Sequence, residues 1–285
     1  MNCKIPPKVA AINSFAGYGR CSTTEVLPIL SVMGVQACPV PTSVFSNHTG
    51  FPSFFCQDFT TQMPGYLEQW KHLNLVFDGI FCGFLGKKEQ IPIVSSFIKD
   101  QKNAGSPTVL IDPVIGDRGK AYRTITKEHC LNLKELVKLA DIITPNITEA
   151  CLLTDTPWKM QGWNDAELQD ICQKLHALGP DRVVITGLPL SSEKEEGFLN
   201  FLSCAEDGKL HFSRCEMPSA GQSRHGTGDI FAAILAADAV KGTDFNASVQ
   251  KAARFVADCI RLSDRLGIPE QEGVCFENLL GQLLP

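Results

Sequence analysis

Short apolar runs alternate with longer amphipathic segments along the chain, and this alternation predicts buried strands covered by helices. Runs with few polar residues are typical of strands buried on both faces, as in parallel sheets. We expect such strands over residues 8–14, 35–40, 75–85, 108–112, 141–144 and 182–186. We expect helices over residues 22–34, 63–72, 89–102, 131–139, 146–153 and 165–178. The first helix is expected to be capped by the Ser22 hydroxyl, with Glu25 three residues on.

The pattern changes after residue 197, where two predicted strands flank a tight turn. Asp207-Gly208 separates residues 198–204 from residues 209–214, as in a β-hairpin. Helices are expected from Asp229 onward, over residues 249–262 and at the C-terminus, and loops over residues 42–54 and 116–120. No linker interrupts the chain, so we predict one domain over residues 1–285. The order of elements predicts a three-layer α/β/α sandwich with a mostly parallel central sheet and an antiparallel hairpin at one edge.

Polar residues follow one predicted strand after another. Ligands bind beyond the carboxyl ends of the strands in open parallel sheets. The residues expected to share that edge are Ser14, Asp112, Asp117, Thr144, Asn146, Glu149 and Thr186. Packing alone gives no reason for so many strands to end in polar side chains, so this pattern predicts a catalytic cleft.

The stretch from His225 to Asp229 (HGTGD) opens an alanine-rich helix. Gly226 and Gly228 allow backbone N–H groups to converge at the start of that helix, where an anion is favoured. A carboxylate beside such an anion site, here Asp229, suits phosphoryl transfer to a hydroxyl group because it can accept the alcohol proton. The alternative is that these residues only start a helix, with Asp229 complementing its dipole.

Three acids among the strand-end residues are candidate Mg²⁺ ligands: Asp112, Asp117 and Glu149. Asp112 has an alternative structural role in the turn before Pro113, and Glu149 has one as a first-turn helix charge. The pattern G-x-x-x-x-G-K-[ST] does not occur, which excludes a P-loop. Together with the anion site, the acids favour nucleotide and metal chemistry.

Composition narrows the function classes. The chain is 44% hydrophobic and 20% charged, and its net charge of −5 argues against binding to nucleic acid or anionic membranes. The N-terminus has no apolar signal segment and no stretch is long enough to span a bilayer, which predicts a cytoplasmic protein. The 12 cysteines include no C-x-x-C pair, so we expect free, mostly buried thiols rather than a zinc site or a disulfide scaffold.

Five sequence blocks lie in a characteristic order: residues 45–50 (FSNHTG), 78–86 (DGIFCGFLG), 112–117 (DPVIGD), 143–150 (ITPNITEA) and 226–229 (GTGD). In this order they resemble the pyridoxal/pyridoxamine kinase family of the ribokinase-like superfamily, over about residues 8–262. The first and third blocks are the specific ones, because sugar kinases of the superfamily usually lack them. The resemblance implies a ribokinase-like sandwich and transfer of the ATP γ-phosphate to the 5′-hydroxymethyl group of a B6 vitamer.

The resemblance also implies roles for individual residues. Asp229 is similar to the catalytic base of the family, and the amides of Gly226, Thr227 and Gly228 to its anion hole. Asp112, Asp117 and Glu149 match positions that bind metal and phosphate, directly or through water. The implied nucleotide side comprises Asp112, Asp117, Tyr122, Thr144, Asn146, Thr186 and Gly228. The implied vitamer side comprises Ser14, Cys21, Asn47, His48, Thr49 and Phe84.

The same resemblance implies Mg²⁺ with ATP, a monovalent cation that is K⁺ in many members, and a homodimer. His48 is interpreted as a hydrogen-bonding wall rather than a proton shuttle, because Asp229 already fills the role of the base. The chain departs from the family in three places. Phe84 stands where a tyrosine is frequent, residues 17–22 replace a usual G-Y-V-G-N, and Gly187 replaces a frequent serine. These departures leave the choice among pyridoxal, pyridoxamine and pyridoxine open.

Three alternatives remain at the level of the sequence. The chain could be a hydroxymethylpyrimidine kinase or accept both rings, although such relatives often carry cysteine at the position of Asp229. It could be a sugar or nucleoside kinase of the same superfamily. It could also bind B6 or a nucleotide without catalysis, which the intact Gly226–Asp229 set disfavours.

Overall fold

The computed structural model describes residues 5–123, 125–190, 197–218, 220–221 and 224–284. Its strands are β1 (Lys8–Ala16), β2 (Gln36–Phe45), β3 (Cys56–Asp58), β4 (Gly79–Cys82), β5 (Thr108–Ile111), β6 (Gly116–Asp117), β7 (Lys120–Ala121), β8 (Ile142–Ile143), β9 (Arg182–Pro189), β10 (Gly197–Glu206) and β11 (Lys209–Pro218). Nine of them form one sheet in the order β11-β10-β9-β8-β5-β4-β1-β2-β3, and β6 pairs separately with β7. The six central strands, from β9 to β2, are parallel.

The helices are α1 (Thr23–Val32), α2 (Met63–His72), α3 (Gln90–Ala104), α4 (Lys127–Val137), α5 (Ile147–Thr154), α6 (Asp165–His176), α7 (Thr227–Val240) and α8 (Phe245–Arg265). Two 3-10 segments follow, Glu270–Glu272 and Glu277–Leu283. Within the described residues, no helix is both long and apolar enough to cross a membrane. The prediction that the N-terminus lacks a signal segment rests partly on residues 1–4, which lie outside the described residues.

Strand β1 shows why the sheet has helices on both faces. Val9 and Ala11 pack into one core with α1, α7 and α8, whereas Ala10 and Ile12 pack into a second core with α2 to α6. All four side chains are fully buried, because successive side chains of a strand point to opposite faces and both faces are covered. The predicted three-layer sandwich is therefore confirmed.

The late hairpin is confirmed as well. Strands β10 and β11 pair antiparallel from Gly197 to Pro218, and β10 also pairs antiparallel with β9, which places the hairpin at one edge of the sheet. Asp207 and Gly208 both adopt positive φ, at 50° and 72°. This is the conformation that a two-residue hairpin turn requires.

The prediction of a loop over residues 42–54 is wrong for its first part. Strand β2 continues to Phe45 and pairs antiparallel with the short strand β3, so a second edge of the sheet also carries an antiparallel strand. Thr42 and Ser43 are polar but buried. The Thr42 hydroxyl donates to the carbonyl of Phe84, and Gln90 donates to the carbonyl of Thr42. These partners are distant in sequence, so the local pattern could not predict a buried strand here.

The predicted loop over residues 116–120 forms the β6–β7 hairpin instead. The turn residues Arg118 and Gly119 have positive φ, and the Gly119 N–H donates to the Thr148 hydroxyl at the start of α5. The prediction of free thiols is confirmed for the eleven cysteines among the described residues, of which eight are buried.

Candidate active site

Helix α7 begins at the carboxyl-end edge of the sheet, with Gly226 as its N-cap at a φ of +86°. No side chain caps this helix. The first N–H groups of a helix have no intrahelical acceptor, so the amides from residue 226 onward can receive an anion. A Cβ on Gly226 would lie 2.3 Å from a carboxylate oxygen of Glu25 and 2.6 Å from the carbonyl oxygen of Arg20. Only glycine fits this position.

Asp229 lies in the first turn of α7 and is held by two donors. The Asn13 side-chain amide donates to Oδ1 at 2.9 Å, and the Ser22 backbone N–H donates to Oδ2 at 2.8 Å. Burial raises the pKa of Asp229, while the bonds from Ser22 and Asn13 oppose that rise because they stabilise the ionised form. Asp229 is thus an oriented carboxylate whose affinity for a proton exceeds that of a solvated aspartate.

Asn13 is a site residue that the sequence analysis missed. Its side-chain oxygen accepts the backbone N–H groups of Ser14 and Phe84, while its nitrogen donates to Asp229. One buried amide therefore ties the end of β1 to the predicted base and to the loop that carries Phe84. A signal existed in the sequence, because an asparagine inside an apolar strand must find buried partners.

Ser22 is the second residue missed as a partner of Asp229. It occupies the N-cap position of α1 as predicted, but its side chain makes no capping bond, so that part of the prediction is wrong. Its hydroxyl instead accepts a hydrogen bond from the Ser14 hydroxyl at 2.9 Å. The backbone of Ser22 has φ 58°, which is rare for a residue with a side chain. Strained backbone of this kind clusters at functional sites, and here it directs the N–H group at Asp229.

Glu25 is fully buried beneath Gly226, and neither carboxylate oxygen has a hydrogen-bond partner among the described residues. Burial holds the pKa of Glu25 well above its usual range, and the charge of Asp229 raises it further. Glu25 is therefore expected to remain a neutral acid. It packs beneath residues 225–228, which we call the anion loop.

Asp112 follows β5 and lies opposite the start of α7. Its Oδ1 accepts a hydrogen bond from the Thr144 hydroxyl at 2.8 Å, and its Oδ2 lies 3.9 Å from the Cβ position of Gly228. Burial and then the charge of Asp229 raise the pKa of Asp112 to about 7, and the Thr144 bond opposes this rise. Two predicted strand-end residues thus meet the predicted anion hole.

Glu149 and Asn146 form a capping box at the start of α5. The Glu149 carboxylate accepts the N–H groups of Asn146 and Ile115, and the Asn146 amide donates to the carbonyl of Gly116. Burial and then the charge of Asp112 hold the pKa of Glu149 well above its usual range. The backbone of Asn146 also forms an isolated parallel β-bridge with Thr186, which is half-buried on β9. The contacts of Asn146 and Glu149 connect the β6–β7 hairpin to the sheet.

Asp117 and Tyr122 lie on and just after the β6–β7 hairpin. Asp117 is exposed and its carboxylate accepts the N–H group of Arg118. Burial, followed by the charges of Glu149 and Asp117, raises the pKa of Tyr122. Asp112 and Asp229 raise the same pKa more weakly, so the Tyr122 hydroxyl lies within electrostatic reach of all four acids.

Asp112 and Glu149 fit a magnesium site of the kind that uses few protein ligands. Asp112 keeps one carboxylate oxygen free of protein partners, and the neighbouring acids make an added cation favourable. Both Glu149 oxygens accept backbone N–H groups, which suits contact with the ion through water. Across the described ranges, no three His, Cys, Asp or Glu side chains form a complete metal cluster. Nucleotide oxygens and water would therefore supply the remaining ligands.

The residues predicted on the vitamer side differ in their exposure to solvent. Ser14 and Cys21 are buried, Phe84 is half-buried, and Thr49 is exposed. Burial and then the charge of Asp229 raise the pKa of Cys21, so this thiol lies near the predicted base without being a thiolate. The Phe84 ring centroid lies 6.4 Å from that of Phe45, which leaves an aromatic wall beside Asn13.

The loop with Asn47 and His48 is held from within. Asn47 accepts a bond from Ser46 and donates to the carbonyl of Ser53. The Gly50 N–H donates to Nδ1 of His48, so Nε2 carries the ring proton and donates to the Gln271 carbonyl at 2.6 Å. Both ring nitrogens therefore have partners within the protein, so neither is free to shuttle a proton in this arrangement.

His225 is a further residue to which the sequence analysis gave no role. It precedes Gly226, and its ring centroid lies 4.4 Å from that of His48. Burial, and next the proximity of His48, lowers the pKa of His225. The neutral imidazole of His225 therefore packs against the loop of residues 46–53, which we call the vitamer loop, and connects it to the anion loop.

Comparison with known proteins agrees with this geometry. The sequence model of the phosphomethylpyrimidine kinase family matches residues 32–274. Pyridoxal kinase of Bos taurus is 31% identical over 242 residues, which cover 81% of this chain and 76% of the bovine protein. A candidate phosphomethylpyrimidine kinase of Bacteroides thetaiotaomicron, crystallised with pyridoxal, is 35% identical with a TM-score of 0.90 and covers 98% of this chain and 96% of its own. Pyridoxal kinase of Leishmania donovani, in complex with ADP and pyridoxamine, shares the fold at 22% identity and a TM-score of 0.88, covering 97% of this chain and 95% of its own.

Proposed function

The chain belongs to the phosphomethylpyrimidine kinase family, and from this premise we propose that it transfers the γ-phosphate of ATP to the 5′-hydroxymethyl group of a B6 vitamer. The relatives with the same fold include pyridoxal kinases and a protein crystallised with pyridoxal. The observation that carries the proposal is the position of Asp229. It is oriented by Asn13 and Ser22 at an uncapped helix start that faces Asp112.

The arrangement suggests a mechanism in which Asp229 accepts the proton of the vitamer hydroxyl. A carboxylate is a weak base for an alcohol, so the proton is transferred late and positioning contributes most of the rate. The amides of Gly226, Thr227 and Gly228 stabilise the charge that develops on the transferred phosphoryl group. Asp112, and Glu149 through water, would hold Mg²⁺, which would supply neutralisation of the phosphate charge. We assign Asp117 on the β6–β7 hairpin and Tyr122 just after it to cover the phosphates, and Thr144, Asn146 and Thr186 to the nucleotide side.

On the vitamer side, Phe84 offers a ring face for stacking on the pyridine. We assign Ser14 of β1 and Cys21, whose thiol lies near the predicted base, to the inner part of the vitamer side, and Asn47, His48 and Thr49 to its outer wall. Phe84 lacks the hydroxyl of a tyrosine, so ring stacking rather than a hydrogen bond at this position is expected to hold the substrate.

A steady-state comparison tests the proposed function. Pyridoxal, pyridoxamine and pyridoxine would be offered with Mg·ATP, with ADP formation followed by a coupled assay. We expect at least one vitamer to have a kcat/KM that exceeds those of ribose and adenosine by two decades or more, roughly the discrimination of a site built to bind another ring. If ADP forms with none of the vitamers, the proposal fails.

A second candidate is phosphorylation of hydroxymethylpyrimidine, favoured by the family model that matches residues 32–274. Including this pyrimidine in the same panel separates the two. A higher kcat/KM for the pyrimidine than for every vitamer would establish the second function, and comparable values would establish dual specificity.

We also propose that residues 1–285 form one kinase domain that acts as a cytoplasmic homodimer and is activated by K⁺. The support is the resemblance to the family together with the single sheet that gathers strands from residue 8 to residue 218. Light scattering during size-exclusion chromatography tests the dimer, and exchange of K⁺ for Na⁺ in the kinase assay tests the cation.

A further inference from the structure

Arg224 places a buried guanidinium just before the anion loop. Its side chain is 5% exposed. Nη2 donates to Oδ1 of Asp264 at 2.6 Å, in the last turn of α8. Nη1 donates to the carbonyl of Ile268 at 2.7 Å and, more weakly, to that of Gly273 at 3.4 Å. The predicted function assigns no role to this residue.

One carboxylate and two carbonyl oxygens converge on this guanidinium. A buried cation without acceptors is strongly unfavourable, so these three oxygens and the guanidinium hold one another in place. The planar guanidinium group of arginine donates hydrogen bonds in fixed directions, and the ammonium group of lysine cannot reproduce this geometry. Arg224 therefore fixes the loop between α8 and the 3-10 segments relative to the start of α7.

The backbone of Arg224 is also hydrogen-bonded to the anion loop. Its carbonyl accepts a hydrogen bond from the Thr227 hydroxyl at 3.2 Å, and the carbonyl of Gly226 accepts the N–H of Ile230, the first backbone bond of α7. The peptide units between Arg224 and Thr227 are thus held at both ends. They include the N–H groups of Gly226 and Thr227, two of the three amides assigned to the anion hole.

The partner segment, residues 268–273, also contacts the other two loops of the site. The carbonyl of Gln271 accepts from His48 of the vitamer loop, and the carbonyl of Glu272 accepts the backbone N–H of Arg20. Gly273 packs against the Arg20 carbonyl so closely that a Cβ would lie 2.5 Å away. Residues 268–273 therefore join three loops, and Arg224 is their connection to the anion loop.

We propose that Arg224 is a positioning residue for phosphoryl transfer, which rests on the proposed function. Its guanidinium is 5% exposed and donates to oxygens of the protein. Through Asp264, Ile268 and Gly273 it sets the direction of the amides of Gly226, Thr227 and Gly228, and so the stabilisation of the transferring phosphoryl group. An interaction of this kind acts in the transition state more than in the bound ground state.

The test compares Arg224→Ala and Arg224→Lys with the unchanged chain. We expect Arg224→Ala to lower kcat by about 30-fold, less than the loss of an anion-hole donor outright, with the KM for Mg·ATP changed less than about threefold. Guanidinium chloride at low millimolar concentration should restore part of kcat in Arg224→Ala, and Arg224→Lys should be intermediate. Lys251→Met is the matched control. It breaks the ion pair to the buried Asp238 at the far end of α7 and should lower the melting temperature while leaving kcat unchanged.

A kcat of Arg224→Ala within twofold of the unchanged chain would overturn the proposal, as would a loss of kcat that guanidinium leaves unaltered. If Arg224→Ala does not fold, Asp264→Asn serves instead, with an expected fivefold loss of kcat; an unchanged kcat there also overturns the proposal. If the unchanged chain phosphorylates no vitamer, it is the proposed function that fails. Amide hydrogen exchange over residues 225–231 then decides the role of Arg224: faster exchange in Arg224→Ala than in Lys251→Met supports it, and equal exchange refutes it.

Discussion

At the scale of single residues, the site depends on polar groups that are buried together and paired in advance. Asn13 and the backbone of Ser22 hold both oxygens of Asp229, and Thr144 holds one oxygen of Asp112. Such preorganised groups need little rearrangement when charge develops during the reaction. Glu25 differs, since it is buried without a partner among the described residues and supports the loop as a neutral acid.

Asp229→Ala tests the predicted base. We expect kcat to fall by about two to four decades while the KM for Mg·ATP barely changes, because Asp229 acts on the vitamer hydroxyl rather than on the nucleotide. Asp229→Asn is the isosteric control and should lose as much, since the amide can still accept the Ser22 N–H but cannot take a proton. Near-normal turnover in either variant would contradict the assignment.

Glu25→Gln tests the neutral acid through the pH dependence of stability. The pKa of Glu25 is raised in the folded chain, so the folded state binds its proton more tightly than the unfolded state does. The stability contributed by this proton is complete below the ordinary glutamate pKa and is lost as the pH rises through the raised value. Glutamine has no proton to lose. The variant should therefore gain stability relative to the unchanged chain as the pH rises, by at most about 1.4 kcal/mol per pH unit.

Urea unfolding at pH 5, 6, 7 and 8 measures this difference. Glu206→Gln, at the exposed end of β10, is the control variant and is unfolded at the same pH values. A difference between Glu25→Gln and the unchanged chain that stays constant from pH 5 to pH 8 would show that Glu25 does not carry a raised pKa.

At the scale of the elements, the start of α7 is the feature on which the chemistry depends. The helix has no side-chain cap, so its first N–H groups remain available to an anion. The loop before it is supported from below by Glu25 and the Arg20 carbonyl and from behind by Arg224. An element that would otherwise fray at its end is thereby kept rigid.

The role of the start of α7 is tested by comparing Gly226→Ala with Gly242→Ala, which lies at the other end of the helix. Both glycines have positive φ, at +86° and +75°, but only Gly226 is crowded, with nothing within 4 Å of the Cβ position of Gly242. We expect Gly242→Ala to lose roughly 1–3 kcal/mol of stability through backbone strain, and Gly226→Ala to lose more because its Cβ would also collide with Glu25 and the Arg20 carbonyl. Gly226→Ala alone should lose kcat, by about tenfold or more, because the Arg20 carbonyl cannot move without shifting the anion hole. Equal kcat values in the two variants would contradict this view.

At the scale of the whole molecule, the sheet gathers acids from elements far apart in sequence. Asp112 comes from the end of β5, Glu149 from the start of α5 and Asp229 from α7. Burial, and next the charge of Asp229, raises the pKa of Asp112 to about 7, whereas a solvated aspartate would be ionised well below that. An added cation would therefore favour the ionised form of Asp112 and lower its pKa.

Metal affinity should consequently depend on pH. With a pKa of about 7, Asp112 is mostly protonated at pH 6 and mostly ionised at pH 8 in the metal-free protein. Because a ligating carboxylate must be ionised, we expect Mn²⁺ to bind about tenfold more weakly at pH 6 than at pH 8. The electron paramagnetic resonance signal of free Mn²⁺ measures this in nucleotide-free protein. Thr144→Val should move the transition to higher pH, since it removes the bond that stabilises the ionised form. Equal affinity at both pH values would refute the prediction.

The order of strands and helices was predictable because the spacing of apolar residues within a segment indicates which of its faces is buried. The DG turn and the glycines before Asp229 were predictable for a similar reason, since each needs a conformation that few residues adopt. The second half of β2 was not, because Thr42 and Ser43 are polar and their burial depends on bonds to Phe84 and Gln90. Asn13 and Ser22 were missed as partners of Asp229 because those contacts span more than 200 positions in sequence.

The sequence by itself determined the layers of the fold, the edge of the sheet at which polar residues end the strands, and the glycine-bounded helix start. These features follow from periodicity and backbone freedom, which are local. Only the tertiary structure decided which groups meet: Asn13 with Asp229, Glu25 beneath Gly226, and Arg224 with the turn after α8. Buried polar groups are satisfied by whatever the fold brings to them, and no local pattern specifies that partner.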